Sequence, residues 1–280
     1  MSSRPAPVAI VGPTASGKST LALALARRRP GAEIVSVDSM GVYRGMDIGT
    51  AKPTPSVRAD VPHHLVDVAD PAEDYSVARF QSEAEPVLAD LRARDRPVLL
   101  VGGTGLYLRA LVDGLTLPGR WPRVAAALEA DADGPGGVPA LHARLAHLDP
   151  VAAGRIVPTN RRRVVRALEV TLGSGRPFSS YGPGLTAYPP SPVRLIGLWP
   201  TREALAARIA RRVEAQAAAG WLEEVRGLAA RAGGLSRTAR QALGYRELLA
   251  HVEEGRPLEE ALAATVARTR SFARRQLSWF

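Results

Sequence analysis

Short apolar runs alternate with amphipathic stretches along this chain, and that rhythm predicts its elements. Val8-Ala9-Ile10-Val11 is a continuous apolar run of strand length, the pattern of a strand buried in a parallel sheet. Four more runs resemble strands: Glu33–Asp38, His64–Val68, Pro97–Val101 and Arg194–Leu198. Helical patterns lie between most of them, starting with Leu21–Ala26, so the front of the chain predicts an α/β core with a mainly parallel sheet. The interval between the fourth run and the fifth breaks that rhythm. It holds helical patterns at Val124–Ala130, Leu141–Leu148 and Arg161–Leu172, a break at Gly134-Pro135-Gly136-Gly137, and a return through Tyr188-Pro189-Pro190-Ser191-Pro192. Residues 116–190 therefore read as a small helical domain inserted into a core formed by residues 1–115 and 191–280. After Thr201, an expected N-cap, the chain reads as helices punctuated by Gly220, Gly233-Gly234 and Gly255.

The first run leads into Gly12-Pro13-Thr14-Ala15-Ser16-Gly17-Lys18-Ser19-Thr20, which fits G-x-x-x-x-G-K-[ST]. Such a P-loop wraps backbone N–H groups around phosphates and delivers them to a helix N-terminus, where the dipole favours negative charge. The core is thus expected to be P-loop NTPase-like, and by motif alone the loop is a nucleotide (ATP) site. Lys18 adds a point charge for the outer phosphates, and the Ser19 hydroxyl is a candidate ligand for Mg²⁺.

Charge and composition narrow the partners. The formal net charge is +10, which suggests a polyanion such as nucleic acid or merely reflects free use of Arg on helix surfaces. The chain has no cysteine, which excludes disulfides, Cys-ligated zinc and thiol nucleophiles. No apolar run approaches the roughly 20 residues that span a bilayer. Met1-Ser2-Ser3-Arg4-Pro5 leads straight into the first run, so no signal peptide and a cytoplasmic location are expected.

Active residues in such sheets collect at the carboxyl ends of strands. Asp38 ends the second run, expected next to the P-loop, and could accept or orient a proton there; an Asp capping a turn is the alternative. Gly102-Gly103-Thr104-Gly105 ends the fourth run without the Asp that an ATPase would carry there. Thr104 could bond a base or phosphate, or serve a structural turn. Arg161, Arg162, Arg163 and Arg166 form a basic cluster on a predicted helix whose buried side is Val164, Val165 and Leu168. Arg208 and Arg212 share one helix face and suit either a diphosphate or solvent. Arg268, Arg270, Arg274 and Arg275 surround Phe272 ahead of Trp279-Phe280, a mixture that fits nucleic acid or core. His63-His64 makes no metal pair, because neighbours in a strand point to opposite faces.

Several blocks together resemble the tRNA dimethylallyltransferases. They are the P-loop, Asp38-Ser39-Met40, Val42-Tyr43-Arg44-Gly45-Met46-Asp47-Ile48-Gly49-Thr50-Ala51-Lys52-Pro53, Pro62-His63-His64-Leu65, Gly102–Tyr107, Arg163–Val170, Gln241-Ala242-Leu243-Gly244-Tyr245 and Thr269–Phe280. The resemblance implies transfer of a dimethylallyl group from dimethylallyl diphosphate to N6 of adenosine 37 in tRNA, with Mg²⁺. It implies that Gly12–Thr20, Lys18 above all, hold the diphosphate with Arg208 and Arg212, that Asp38 accepts the N6 proton, and that Thr104 holds the adenosine. It further implies tRNA contacts from Asp38, Ser39, Met40, Gly41 and Thr104, from the Arg161–Arg166 segment, Val164 and Val165 included, and from Arg270, Arg274 and Arg275. The inserted domain would enclose the anticodon stem-loop, and a monomer is expected. Two departures stand out: Gly41 replaces the family's Gln, and Thr159-Asn160 replaces its Asn-Asp. A small-molecule kinase and a tRNA-binding module without catalysis are the competing readings.

Overall fold

The protein is described by a computed structural model covering residues 6–182 and 189–279. Met1–Pro5, Tyr188 and Phe280, which belong to segments read above, lie outside the described residues. Five parallel strands form one sheet: β1 (Val8–Val11), β2 (Glu33–Val37), β3 (His63–His64), β4 (Val98–Gly102) and β5 (Arg194–Gly197), in the order β3-β2-β4-β1-β5. Helices α1 (Lys18–Arg28), α2 (Pro55–Asp60), α3 (Val77–Ala93) and α4 (Gly105–Val112) belong to the front of the chain. Then come α5 (Pro122–Asp133), α6 (Gly137–Leu148), α7 (Pro150–Arg155) and α8 (Arg161–Ser174). After β5 the chain is helical: α9 (Arg202–Ala218), α10 (Trp221–Ala229), α11 (Arg237–Arg240), α12 (Tyr245–Glu254) and α13 (Leu258–Leu277).

The chain divides into two compact units, one reaching Val112 and resuming at Ser191, the other Asp113–Pro190. In the first, successive strand residues point to opposite faces, and both faces are buried. Ala9, Val11, Val35, Val37, Val98 and Leu100 enter a core shared with α3, α4 and the helices from α10 onward. Ile10, Ile34, Leu99 and Val101 meet Ala22 and Ala26 of α1 on the other side. The second unit has its own core, where Leu128, Leu141 and Leu145 pack with Val164, Val165 and Leu168 of α8. Asn160 caps α8 by accepting the Arg163 N–H at 3.2 Å, so its departure from the family sequence keeps a working N-cap. Thr201 caps α9 as expected, accepting the Ala204 N–H at 3.2 Å.

Two expectations are corrected. The third run contributes only His64 to the two-residue β3, because Leu65 and Asp67 both take φ of +59°, which ends an extended strand. Asp67 is held there by Lys52 and Arg58, at 2.7 Å from the latter. The second strand is also not adjacent to the P-loop strand, since β4 lies between them. β4 ends in glycine where it passes β2: a Cβ on Gly102 would lie 2.0 Å from the Val37 carbonyl oxygen.

The loop from Asp38 to Thr54 has little regular structure, so its polar backbone must be satisfied from outside. Glu224 of α10 does most of this. It accepts the N–H groups of Asp47 (2.8 Å), Ile48 (2.7 Å) and Gly49 (3.3 Å), and the Tyr245 hydroxyl at 2.6 Å. Gln216 of α9 donates to the carbonyls of Ile48 (2.6 Å) and Gly49 (3.0 Å). Lys52, 3% exposed, is neutralised by Asp47 and Asp67. Glu224→Ala strands several partly buried donors, which predicts a loss of about 3 kcal/mol in denaturant unfolding. Glu224→Gln, which keeps an acceptor, should cost less than half as much.

Candidate active site

The P-loop turns back on itself before α1. Gly12 takes φ of +144°, and a Cβ there would lie 2.6 Å from the Leu198 carbonyl oxygen, so that position needs glycine. Gly17, at φ +97°, is the N-cap of α1 and aims the first helical N–H groups into the loop. Lys18 Nζ donates to the Pro13 carbonyl at 2.6 Å. The Ser16 hydroxyl is buried with no hydrogen-bond partner, which leaves it for an incoming acceptor or donor.

Helix α9 brings both predicted arginines to this loop. Arg208 donates to the Ser16 carbonyl at 3.2 Å. Arg212 donates to the Thr14 hydroxyl at 3.2 Å and to the Thr50 carbonyl at 3.4 Å, tying the P-loop to the clamped Asp38–Thr54 loop. Burial lowers the pKa of Lys18 to about 8; the neighbouring charge of Asp38 opposes the shift and that of Arg212 adds to it. Burial likewise pulls Arg212 below the usual guanidinium value, again against Asp38. The site therefore gathers partly desolvated positive charge that an anion would relieve.

Asp38 follows β2 and faces that charge, despite the intervening strand, since β4 ends in Gly102-Gly103 and places no side chain between them. Its Oδ1 accepts the N–H groups of Met40 (2.7 Å) and Gly41 (3.1 Å). Its Oδ2 has no partner among the described residues. One oxygen of Asp38 therefore caps the turn, as the alternative reading of this residue expected, and the other is left open. Thr104 accepts the Ser39 N–H at 3.3 Å and lies 3.5 Å from the Ser39 hydroxyl, joining the ends of β4 and β2. Gly41 has no positive φ, and a Cβ there would meet only Asp38 at 3.6 Å, so the backbone does not require glycine.

The basic cluster divides. Arg161 is engaged by Glu129 at 2.7 Å and by Asp133. Arg166 pairs with Glu169 at 2.8 Å and donates to the carbonyls of Pro118 and Gly119. Val164 and Val165 are 0% and 4% exposed and sit in the unit's core, so their side chains offer nothing to RNA. Arg162 and Arg163 are exposed and carry no acidic partner among the described residues. On α13, Arg270, Arg274 and Arg275 are exposed, with Arg275 over the Phe272 ring.

Two contributors escaped the sequence reading. Glu224 looked like one of many surface acids. Gln276 directly follows Arg274-Arg275 on α13, yet its side chain is buried and bonds the P-loop residue Thr14 at 2.7 Å. Its signal was positional: it continues the buried face Ala261, Thr265, Thr269, Ala273, where an amide is out of place without a partner.

A diphosphate bound beside Lys18 should take up a proton at about pH 9, where the free lysine is mostly neutral, but little at pH 7. Calorimetry in buffers of different ionisation enthalpy measures this. Lys18→Met should abolish the extra uptake and weaken binding by about tenfold or more.

Comparison with known proteins places the chain among enzymes of one kind. The family model described as IPP transferase matches residues 41–280, and one described as isopentenyl transferase matches residues 7–60. A tRNA dimethylallyltransferase of Roseiflexus castenholzii is 51% identical over 277 residues, covering 98% of this chain and 89% of the relative. One of Streptomyces coelicolor is 49% identical over 283 residues, covering 100% and 89%. The crystal structure of full-length tRNA isopentenylpyrophosphate transferase from Bacillus halodurans matches with a TM-score of 0.69 and 41% identity, over 99% of this chain and 86% of that one. A eukaryotic dimethylallyltransferase caught acting on tRNA matches with a TM-score of 0.80 and 26% identity, over 98% of this chain and 69% of that one. A phosphate-binding loop faced by a carboxylate, on a chain matched almost end to end by these relatives, belongs to the IPP transferase family.

Proposed function

We propose that this chain is a tRNA dimethylallyltransferase that moves the dimethylallyl group of dimethylallyl diphosphate onto N6 of adenosine 37, beside the anticodon, and releases diphosphate. The observation that carries the reading is Asp38 Oδ2, open and facing Lys18 and Arg212 across the glycine end of β4. In the reaction N6 attacks the allylic carbon, the carbon–oxygen bond to diphosphate breaks with its electron pair leaving on the diphosphate, and the N6 proton passes to Asp38. The charge that grows on the leaving group is met by Lys18, Arg212 and the N–H groups at the start of α1, with Arg208 bracing the loop. These groups are held in place before substrate arrives, so little reorganisation is needed.

Mg²⁺ suits this donor set only as a shared ion. No cluster of three or more His, Cys, Asp or Glu is suited to a metal among the described residues, whereas the Ser19 hydroxyl at the start of α1 offers one oxygen. An ion that keeps several waters and takes substrate phosphate oxygens fits such a place, and when bound it would neutralise charge on the leaving diphosphate. The tRNA partner is supported by the exposed Arg162, Arg163, Arg270, Arg274 and Arg275, and the target base must leave its stack to reach Asp38. In this reading Thr104, beside Ser39, holds that base. We take the working enzyme to be a cytoplasmic monomer; no helix among the described residues is long and apolar enough to cross a membrane.

Incubation with labelled dimethylallyl diphosphate, Mg²⁺ and an anticodon stem-loop tests the reading: label should appear in the RNA. ATP-dependent phosphorylation of a metabolite would instead favour a kinase, and RNA binding without transfer a module that has lost catalysis. Asp38→Ala should abolish detectable transfer while RNA affinity stays within about threefold. The double change Arg162→Ala and Arg163→Ala should weaken RNA binding and reduce its salt dependence by up to about two ion equivalents. Arg161→Ala, which breaks the pairs with Glu129 and Asp133, should show its effect in unfolding more than in the salt slope.

A further inference from the structure

Three segments distant in sequence converge at one buried amide. The Gln276 side chain, 6% exposed, accepts the Thr14 N–H through Oε1 at 2.7 Å and donates through Nε2 to the Gly103 carbonyl at 2.8 Å. The two partners fix the amide's orientation, because only the oxygen can face an N–H and only the nitrogen a carbonyl. The surroundings leave no slack. A Cβ on Gly103 would lie 2.4 Å from Gln276 Nε2 and 3.0 Å from the Gly12 carbonyl oxygen, and one on Gly105 would lie 2.7 Å from the Trp279 ring. Two of the glycines in this turn therefore admit the end of α13.

Each partner of Gln276 leads to a different half of the reaction. Thr14 belongs to the phosphate loop and its hydroxyl is held by Arg212. Gly103 precedes Thr104, which bonds Ser39, the residue after Asp38. Gln276 thus bonds both the loop proposed to hold the leaving group and the strand end that leads to Asp38. A neutral amide suits this place, since a carboxylate would face the Gly103 carbonyl and stand near the diphosphate.

We infer that Gln276 is a positioning residue that sets the distance and angle between the diphosphate cradle and the Asp38–Thr104 edge. The inference rests on the proposed reaction. It acts on geometry, not on affinity: Lys18, Arg212 and the α1 N–H groups bind diphosphate without it, but the allylic carbon and N6 align only if the two halves are in register. A misplacement of about 1 Å costs on the order of 100-fold in rate when reacting atoms must be aligned.

Gln276→Met keeps the length and bulk of the side chain and removes both hydrogen bonds. The measurement is transfer to an anticodon stem-loop with kcat and KM separated, beside diphosphate and RNA affinity and thermal unfolding. The expected result is a kcat reduced on the order of 10- to 100-fold, with KM for dimethylallyl diphosphate and both affinities within about threefold. Gly103→Ala strikes the same contact from the other side and should give the same split, which keeps the test open if methionine at this site prevents folding. A folded variant with kcat within about threefold of the unchanged protein overturns the inference, as does a loss carried by KM alone. Failure of both variants to fold would make Gln276 a structural brace only and overturns it as well. An unchanged protein that transfers no label removes the reaction itself, a failure visible before any variant is compared.

Discussion

An anion site made of backbone N–H groups is a standing expense to a folded chain, because those groups must stay unpaired and converge on one point. The P-loop meets this constraint by being braced on every side that is not the ligand's. Gly12 presses on Leu198 and Gly17 opens α1. Arg208 and Arg212 reach in from α9, and Gln276 from α13. Beneath them Leu205, Ile209 and Ala273 pack together with Ala15 against them, so the two helices that hold the loop also hold each other. Burying the cations costs solvation, which is why Lys18 and Arg212 release their protons more readily than in water. In the proposed reaction the same cost would make them effective toward a leaving diphosphate.

The carboxylate half is organised by a different economy. Asp38 spends one oxygen on the Met40 and Gly41 amides, which orients the side chain and leaves the other open, as the proposed proton acceptor requires. The loop that follows would be unable to hold this geometry alone. Glu224 and Gln216 satisfy it from helices far along the chain, its own Lys52 is neutralised by Asp47 and Asp67, and Arg212 bonds it to the P-loop. Catalytic geometry here is a property of the C-terminal helices as much as of the sheet edge.

The sequence made the phosphate loop legible, because it is a local pattern with one dominant physical meaning, whereas Asp38 and the two α9 arginines could be singled out by position but each kept two readings. Strand order was not legible: nothing in Glu33–Val37 says that β4 will come between it and β1. The third run misled because its apolar alternation says nothing of Leu65 and Asp67, which both turn to positive φ, Asp67 while paired with Lys52 and Arg58. Arg161 and Arg166 looked identical to Arg162 and Arg163, and only tertiary placement separates those paired with Glu129, Asp133 and Glu169 from those facing solvent. Gln276 and Glu224 were hidden for the same reason, since their partners lie hundreds of positions away or in a loop of no regular pattern.

The bond between Thr14 and Gln276 spans 262 positions. A ribosome adding roughly 5–20 residues per second needs on the order of tens of seconds to make that stretch. Throughout that time the phosphate loop exists without its far brace, and for most of it α9 is not yet present either. The nascent chain consequently carries the recognisable motif long before it carries the site, and competence for chemistry arrives as a late event of synthesis.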